Sequence, residues 1–159
     1  MVKAIIFDFG RIFIFPKDEG YFGSLDDLHK VLSESPNYNL CDNFVFNQEL
    51  LDFLKSKQID LRYEVFLFTG GKIAVSDDCQ KFVKGFFKNT FSADKLKLKK
   101  SQPSSFLILS EKIGIEPSQI LYIDDTRGNT IAAETAGLQT ITFRNNMQFE
   151  TEFEAYILK

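Results

Sequence analysis

Acidic residues, a threonine and a lysine stand in this sequence at places where a fold can gather them. Asp8 closes the apolar run 2–7 (VKAIIF), Thr69 closes 64–69 (EVFLFT) and is followed by Gly70-Gly71, and Asp124-Asp125 follow 119–123 (QILYI). Lys100 ends the basic stretch Lys95-Leu96-Lys97-Leu98-Lys99-Lys100. Residues of these types suit phosphoryl transfer. A carboxylate can act as the nucleophile, and a hard cation such as magnesium prefers carboxylate oxygens. Positive charge and hydrogen-bond donors offset the transferring oxygens. Singly, each has a plainer reading: Asp8 as a turn former, Thr69-Gly70-Gly71 as a turn, a lysine in a lysine-rich stretch as a solvated charge, and Asp124-Asp125 as a helix cap.

The elements around these residues decide between the readings. The runs 2–7, 64–69 and 119–123 are short, apolar and rich in β-branched or aromatic residues, as expected of strands buried on both faces. Residues 139–143 (QTITF) and 90–93 predict two further strands. Between them, 48–57 places Leu50, Leu51, Phe53 and Leu54 on one helical face. Residues 104–113 follow Pro103 and stop at Gly114, and 130–136 stop at Gly137. Further helices are expected over 76–86 and 150–158. Strands alternating with helices predict an α/β fold with a parallel sheet. Ligands bind beyond the carboxyl ends of such strands, and the polar residues fall there repeatedly. Together they locate a site.

The stretch 11–46 breaks the pattern. It opens with Ile12-Phe13-Ile14-Phe15, turns at Pro16-Lys17-Asp18-Glu19-Gly20, and holds one short helix over 25–32 that Ser24 can cap. Ser35-Pro36-Asn37 reads as its stop. The chain of 159 residues suits one domain, 1–159, with a short insert at about 15–45.

Composition excludes several classes. Hydrophobic residues make up 44% and charged residues 26%, the balance of an ordinary globular protein. A net charge of −3 and a single short basic block argue against nucleic acid as partner. No run approaches the roughly 20 apolar residues of a membrane span, so no membrane partner is expected. Two cysteines, Cys41 and Cys79, without a dense framework or a secretory signal predict reduced thiols and a cytoplasmic location. With His29 they offer no zinc-ligand spacing. The 18 phenylalanines against no tryptophan read first as core material.

Ile5-Ile6-Phe7-Asp8-Phe9-Gly10 resembles the first motif of the haloacid dehalogenase (HAD) superfamily, whose leading Asp is the nucleophile. Phe68-Thr69-Gly70 resembles the second motif. Lys100-Ser101-Gln102-Pro103-Ser104-Ser105-Phe106 looks like the third. Ile123-Asp124-Asp125-Thr126 with Asn129, Ala132, Ala133 and Gly137 looks like the fourth and most specific. The resemblance implies a HAD-like Rossmannoid sheet of about five strands, helices on both faces, and an enzyme of the hydrolase class. It implies a phosphatase that forms an aspartyl-phosphate on Asp8 from a phosphorylated metabolite. Magnesium would sit on Asp8, the Gly10 carbonyl and Asp125, with Asp124 beside them. Thr69 and the N–H of Gly70 would hold phosphate oxygens, Lys100 (or Lys99) would neutralise them and keep the acids ionised, and Asn129 would orient the lysine.

The chain departs from the family pattern at three places. The second Asp of the first motif, which supplies general acid–base catalysis, is replaced by Gly10, which retains only the carbonyl. General acid catalysis is typically worth about 10²–10⁴-fold, so acyl phosphates and sugar 1-phosphates would suffer less than simple alkyl phosphates. Arg11 replaces a small residue or Asn; it either binds a substrate phosphate or blocks the cleft. The insert is shorter than a full cap domain, which leaves room for larger substrates or for a lid borrowed from a second copy in a homo-oligomer. Gly10 and Arg11 together favour an alternative, a catalytically silent HAD-fold protein that binds a phosphorylated ligand or a protein partner. A dehalogenase fits less well, since that branch uses no magnesium. A receiver domain is excluded by order, because its acidic pair ends the first strand.

Overall fold

The structure, a computed structural model, describes residues 1–61 and 63–157. Its centre is β1 (Ala4–Phe7), every residue of which is buried. Next come β2 (Ile14–Pro16), α1 (Leu25–Leu32), α2 (Leu40–Asn43), β3 (Phe44–Phe46) and α3 (Gln48–Leu61). The second half holds β4 (Glu64–Thr69), α4 (Asp77–Phe82), β5 (Asn89–Ser92), α5 (Ala93–Leu96), α6 (Pro103–Ile113), β6 (Ile120–Asp124), α7 (Arg127–Thr135), β7 (Gln139–Thr142) and α8 (Asn146–Ile157). Five strands form one parallel sheet in the order β5-β4-β1-β6-β7.

Alternation along β1 divides the core in two, because successive side chains of a strand point to opposite faces. Ile5 and Phe7 join Leu50, Leu51 and Leu54 of α3 with Phe149 and Phe153 of α8. Ala4 and Ile6 join Phe106 and Leu109 of α6 with Ala132 and Ala133 of α7. Helices therefore cover both faces, as the continuous apolar runs require. Much of the phenylalanine excess is spent in the first of these layers. There Phe7 meets Phe13 edge-on at 5.3 Å and Phe149 stacks on Phe153 at 5.1 Å between ring centres.

Register then fixes the site. Phe7 pairs with Leu67 on one side and Ile123 on the other, so β1, β4 and β6 end within two residues of one another. Asp8, Thr69 and Asp124 consequently emerge at the same sheet edge.

Several boundaries differ from the sequence expectations. The strand expected over 2–7 begins at Ala4. The helix expected over 76–86 ends at Phe82, short of Gly85, whose φ of 75° leaves the helical region. The helix expected from residue 130 starts at Arg127, and that expected over 150–158 starts at Asn146; Leu158 lies outside the described residues. An antiparallel ribbon of β2 and β3 was not anticipated. Strands of three residues are too short to show a period, and these pair across an intervening excursion of chain that carries α1 and α2. Among the described residues no helix is long and apolar enough to cross a membrane.

Candidate active site

Beneath the site lies Asp124, the last residue of β6 and fully buried. Such a carboxylate needs donors, and it has them. The Tyr122 hydroxyl donates to Oδ2, the Thr126 N–H donates to Oδ1 at 2.8 Å, and Asn129 Nδ2 reaches both oxygens at 3.2 and 3.1 Å. Tyr122 can do this because residues two apart on a strand share a face. Asp124's negative charge in turn holds the Tyr122 hydroxyl protonated, its pKa raised by burial first and by Asp124 next.

Asp8 stands one residue beyond β1, its N–H on the Ile123 carbonyl at 2.8 Å. Beyond it the Phe9 carbonyl accepts the N–H groups of Ile12 and Phe13, and Arg11 takes a left-handed φ of 55°. This tight turn aims Asp8 at the cavity. Lys100 Nζ lies 2.5 Å from Asp8 Oδ1, 3.5 Å from Asp124 Oδ2 and 5.5 Å from the centre of the Phe68 ring. Its delivery depends on Ser105, whose hydroxyl accepts the Lys99 N–H at 3.1 Å and donates to the Lys99 carbonyl at 2.8 Å. Lys99 itself is exposed, so Lys100 is the lysine at the site.

Asp8, Asp124 and Asp125 each offer an oxygen, and these lie within 4.8 Å of one another. Clustered acids with limited hydration resist ionisation. Burial pushes the Asp8 carboxyl up to about 6, with Asp124 adding to the effect and Lys100 opposing it. Asp125 is raised by burial and by Asp124.

A cavity of about 300 Å³ opens over this cluster, lined by Asp8, Gly10, Arg11, Thr69, Gly70, Lys100 and Asp125 and, from the insert, by Ser24, Leu25 and Asp26. Thr69 Oγ1 accepts the Gly71 N–H at 3.1 Å, which shapes the loop after β4. One expected role is corrected by this geometry. Asn129 does not line the cavity and bonds Asp124 rather than Lys100, because both Asp124 oxygens lie within its reach. Asp124 stands beside Asp8 and Asp125, within the same cluster of oxygens, and its own oxygens are engaged from behind by Tyr122, Thr126 and Asn129. Arg11 lines the cavity and also braces it. Its Nη2 donates to the carbonyls of Tyr21 and Gly23 at 3.1 and 2.9 Å, tying the insert to the turn after Asp8. Sequence reasoning missed Asp26, Tyr122 and Ser105. Only Tyr122 left a signal, a phenol two residues before an Asp in an otherwise aliphatic strand.

This fold has known counterparts. The model of the haloacid dehalogenase-like hydrolase family matches residues 45–137, more than half of the chain. The chain belongs to that family. Among curated relatives it is 29% identical over 87 residues to enolase-phosphatase E1 of Pseudomonas fluorescens, covering 49% of this chain and 36% of the relative. It is 32% identical over 56 residues to phosphoglycolate phosphatase of Escherichia coli, covering 35% of this chain and 22% of that protein. The matched stretches thus span about a third or less of these relatives. Among solved structures, a predicted HAD-like family hydrolase of Porphyromonas gingivalis superposes with a TM-score of 0.70 at 18% identity, covering 100% of this chain and 99% of its own. A HAD family enzyme of Bacteroides thetaiotaomicron, solved with magnesium and inorganic phosphate, superposes with a TM-score of 0.62 at 20% identity, covering 91% and 95%. The fold is shared throughout.

Proposed function

We propose that this protein is a magnesium-dependent phosphatase that acts through an aspartyl-phosphate on Asp8, its substrate a small phosphorylated metabolite. The observation that carries the reading is the convergence of Asp8, Thr69, Lys100 and Asp125 on one cavity from separate stretches of chain. A dication fits the residues present: hard oxygen donors lie within 4.8 Å of one another, and Lys100 is the only ammonium ion-paired with the cluster among the described residues. Asp8, Asp125 and the Gly10 carbonyl would hold it, since Asp124 spends its oxygens on Tyr122, Thr126 and Asn129. When bound, magnesium supplies positive charge to the transferring oxygens.

The chain's own residues do the rest. An Asp8 oxygen attacks phosphorus, forming the O–P bond as the bond to the leaving oxygen breaks. Lys100 keeps Asp8 ionised and offsets charge on the phosphoryl oxygens. The Thr69 hydroxyl and the Gly70 N–H orient those oxygens. Water then hydrolyses the aspartyl-phosphate. Gly10 offers no proton to the leaving group, so substrates whose leaving group departs as an anion, acyl phosphates and sugar 1-phosphates, are favoured. We read residues 15–45 as a cap-like insert over the site.

Gly10 also supports the second reading, a silent phosphate-binding protein. Purified protein with magnesium should hydrolyse para-nitrophenyl phosphate, and Asp8→Asn should abolish it. Absence of turnover with that ester and with acetyl phosphate, alongside retained magnesium and phosphate binding, would establish the silent reading instead.

A further inference from the structure

Asp26 is the one carboxylate on the cavity wall, among the described residues, that stands outside the cation cluster. It belongs to the first turn of α1, in the insert, and Ser24 caps that turn by accepting the Asp27 N–H. Its position is fixed from two sides. Asp26 Oδ1 accepts the Ile73 N–H at 2.8 Å, and the chain just before α1 is held by Arg11 through the Tyr21 and Gly23 carbonyls. Gly71 makes room for it: a Cβ there would collide with the Asp26 carboxylate. A carboxylate so anchored keeps lone pairs to spare, because an ionised carboxylate accepts at about four sites.

We propose that Asp26 is the specificity-determining residue of the site, accepting a hydrogen bond from an O–H or N–H group carried by the leaving group of a small phosphate ester or anhydride. The inference rests on the phosphatase reading. The phosphoryl group is set by Asp8, Thr69 and Lys100 at one end of the cavity, and the insert that bears Asp26 forms the other wall. A volume of about 300 Å³ lies at the low end for ligand pockets and admits a phosphoryl group with a short polar remainder. Acetyl and carbamoyl phosphate form a matched pair for the test. They are alike in size and both leave readily without an acid, but only the carbamoyl group presents an N–H donor.

The experiment measures kcat/KM for both compounds, with magnesium, in wild type, Asp26→Asn and Gly71→Ala. Asparagine retains an oxygen for the Ile73 N–H and removes the charge; alanine at 71 displaces the carboxylate by crowding. The wild type should favour carbamoyl phosphate, and each variant should lower the carbamoyl-to-acetyl ratio by about tenfold or more, as expected for a hydrogen bond to a charged group. Turnover of both compounds with the same ratio in all three proteins overturns the inference and leaves Asp26 a latch. No turnover of either by wild type overturns the phosphatase reading and this inference with it.

Discussion

Asp8→Asn should make the cation-free protein more stable, although it removes the proposed nucleophile. The Asp8 carboxyl, ordinarily near 3.8, is pushed up to about 6, chiefly because burial strips its hydration. At about 1.4 kcal/mol per pH unit, holding it ionised at neutral pH costs the fold about 3 kcal/mol. Asparagine has the same shape and no charge. It forfeits the attraction to Lys100, which retains Asp124 at 3.5 Å. A net gain of about 1–3 kcal/mol is therefore expected, and at about 2–4 °C per kcal/mol the melting temperature should rise by roughly 2–12 °C.

The pH dependence carries a definite sign. A carboxyl shifted upward burdens the fold only when ionised, so its cost is absent below about pH 4, grows as pH rises toward about 6, and is complete above that. Melting curves in EDTA from pH 4.5 to 8 should show the two proteins diverging as pH rises. Added magnesium should raise the wild type and narrow the gap. Equal melting temperatures at pH 8 in EDTA, or a gap that persists undiminished at pH 4.5, would refute the reasoning.

Tyr122→Phe removes one donor from the buried Asp124 and should cost about 1.5–3 kcal/mol in urea unfolding, with no cavity to fill. Gly10→Asp is sterically allowed, since a Cβ there meets Leu25 Cδ1 at an ordinary 3.6 Å. It should raise kcat for an alkyl phosphate such as glycerol phosphate by about 10²-fold and gain much less on para-nitrophenyl phosphate; equal gains on both would deny that proton donation limits turnover. Gly71→Ala should cost about 1 kcal/mol by breaking the bond between Asp26 and Ile73. Asp26→Ala loses the same bond, so the double variant should be no less stable than the worse single one.

The parallel sheet was legible because its three central strands are buried on both faces and therefore spell apolar runs; 64–69 matched β4 residue for residue. Asp8, Thr69 and Asp124 at the sheet edge were legible for the same reason, each ending or directly following such a run. Asp26 was not. In sequence it is one more acid in a first helical turn, and its place at the cavity follows from how the insert folds back, which no local pattern encodes. Asn129 was found but misassigned, since spacing gives its helical turn and not which of two neighbours it bonds. Ser105 escaped because its work is done on the backbone of Lys99, six residues earlier in the chain. The β2–β3 ribbon escaped because strands of three residues leave no alternation to read.

That ribbon has an evolutionary corollary. Pro16 and Phe44 are direct partners across it, so the excursion between them leaves and re-enters the body of the protein at neighbouring points. Thermodynamically such an excursion is a loop closed at its neck. Doubling a loop's length adds only about 0.6 kcal/mol of closure entropy. Segments of very different length and chemistry can be exchanged at this neck while the sheet beneath is left intact, so one chemical engine can be refitted for new ligands by grafting alone.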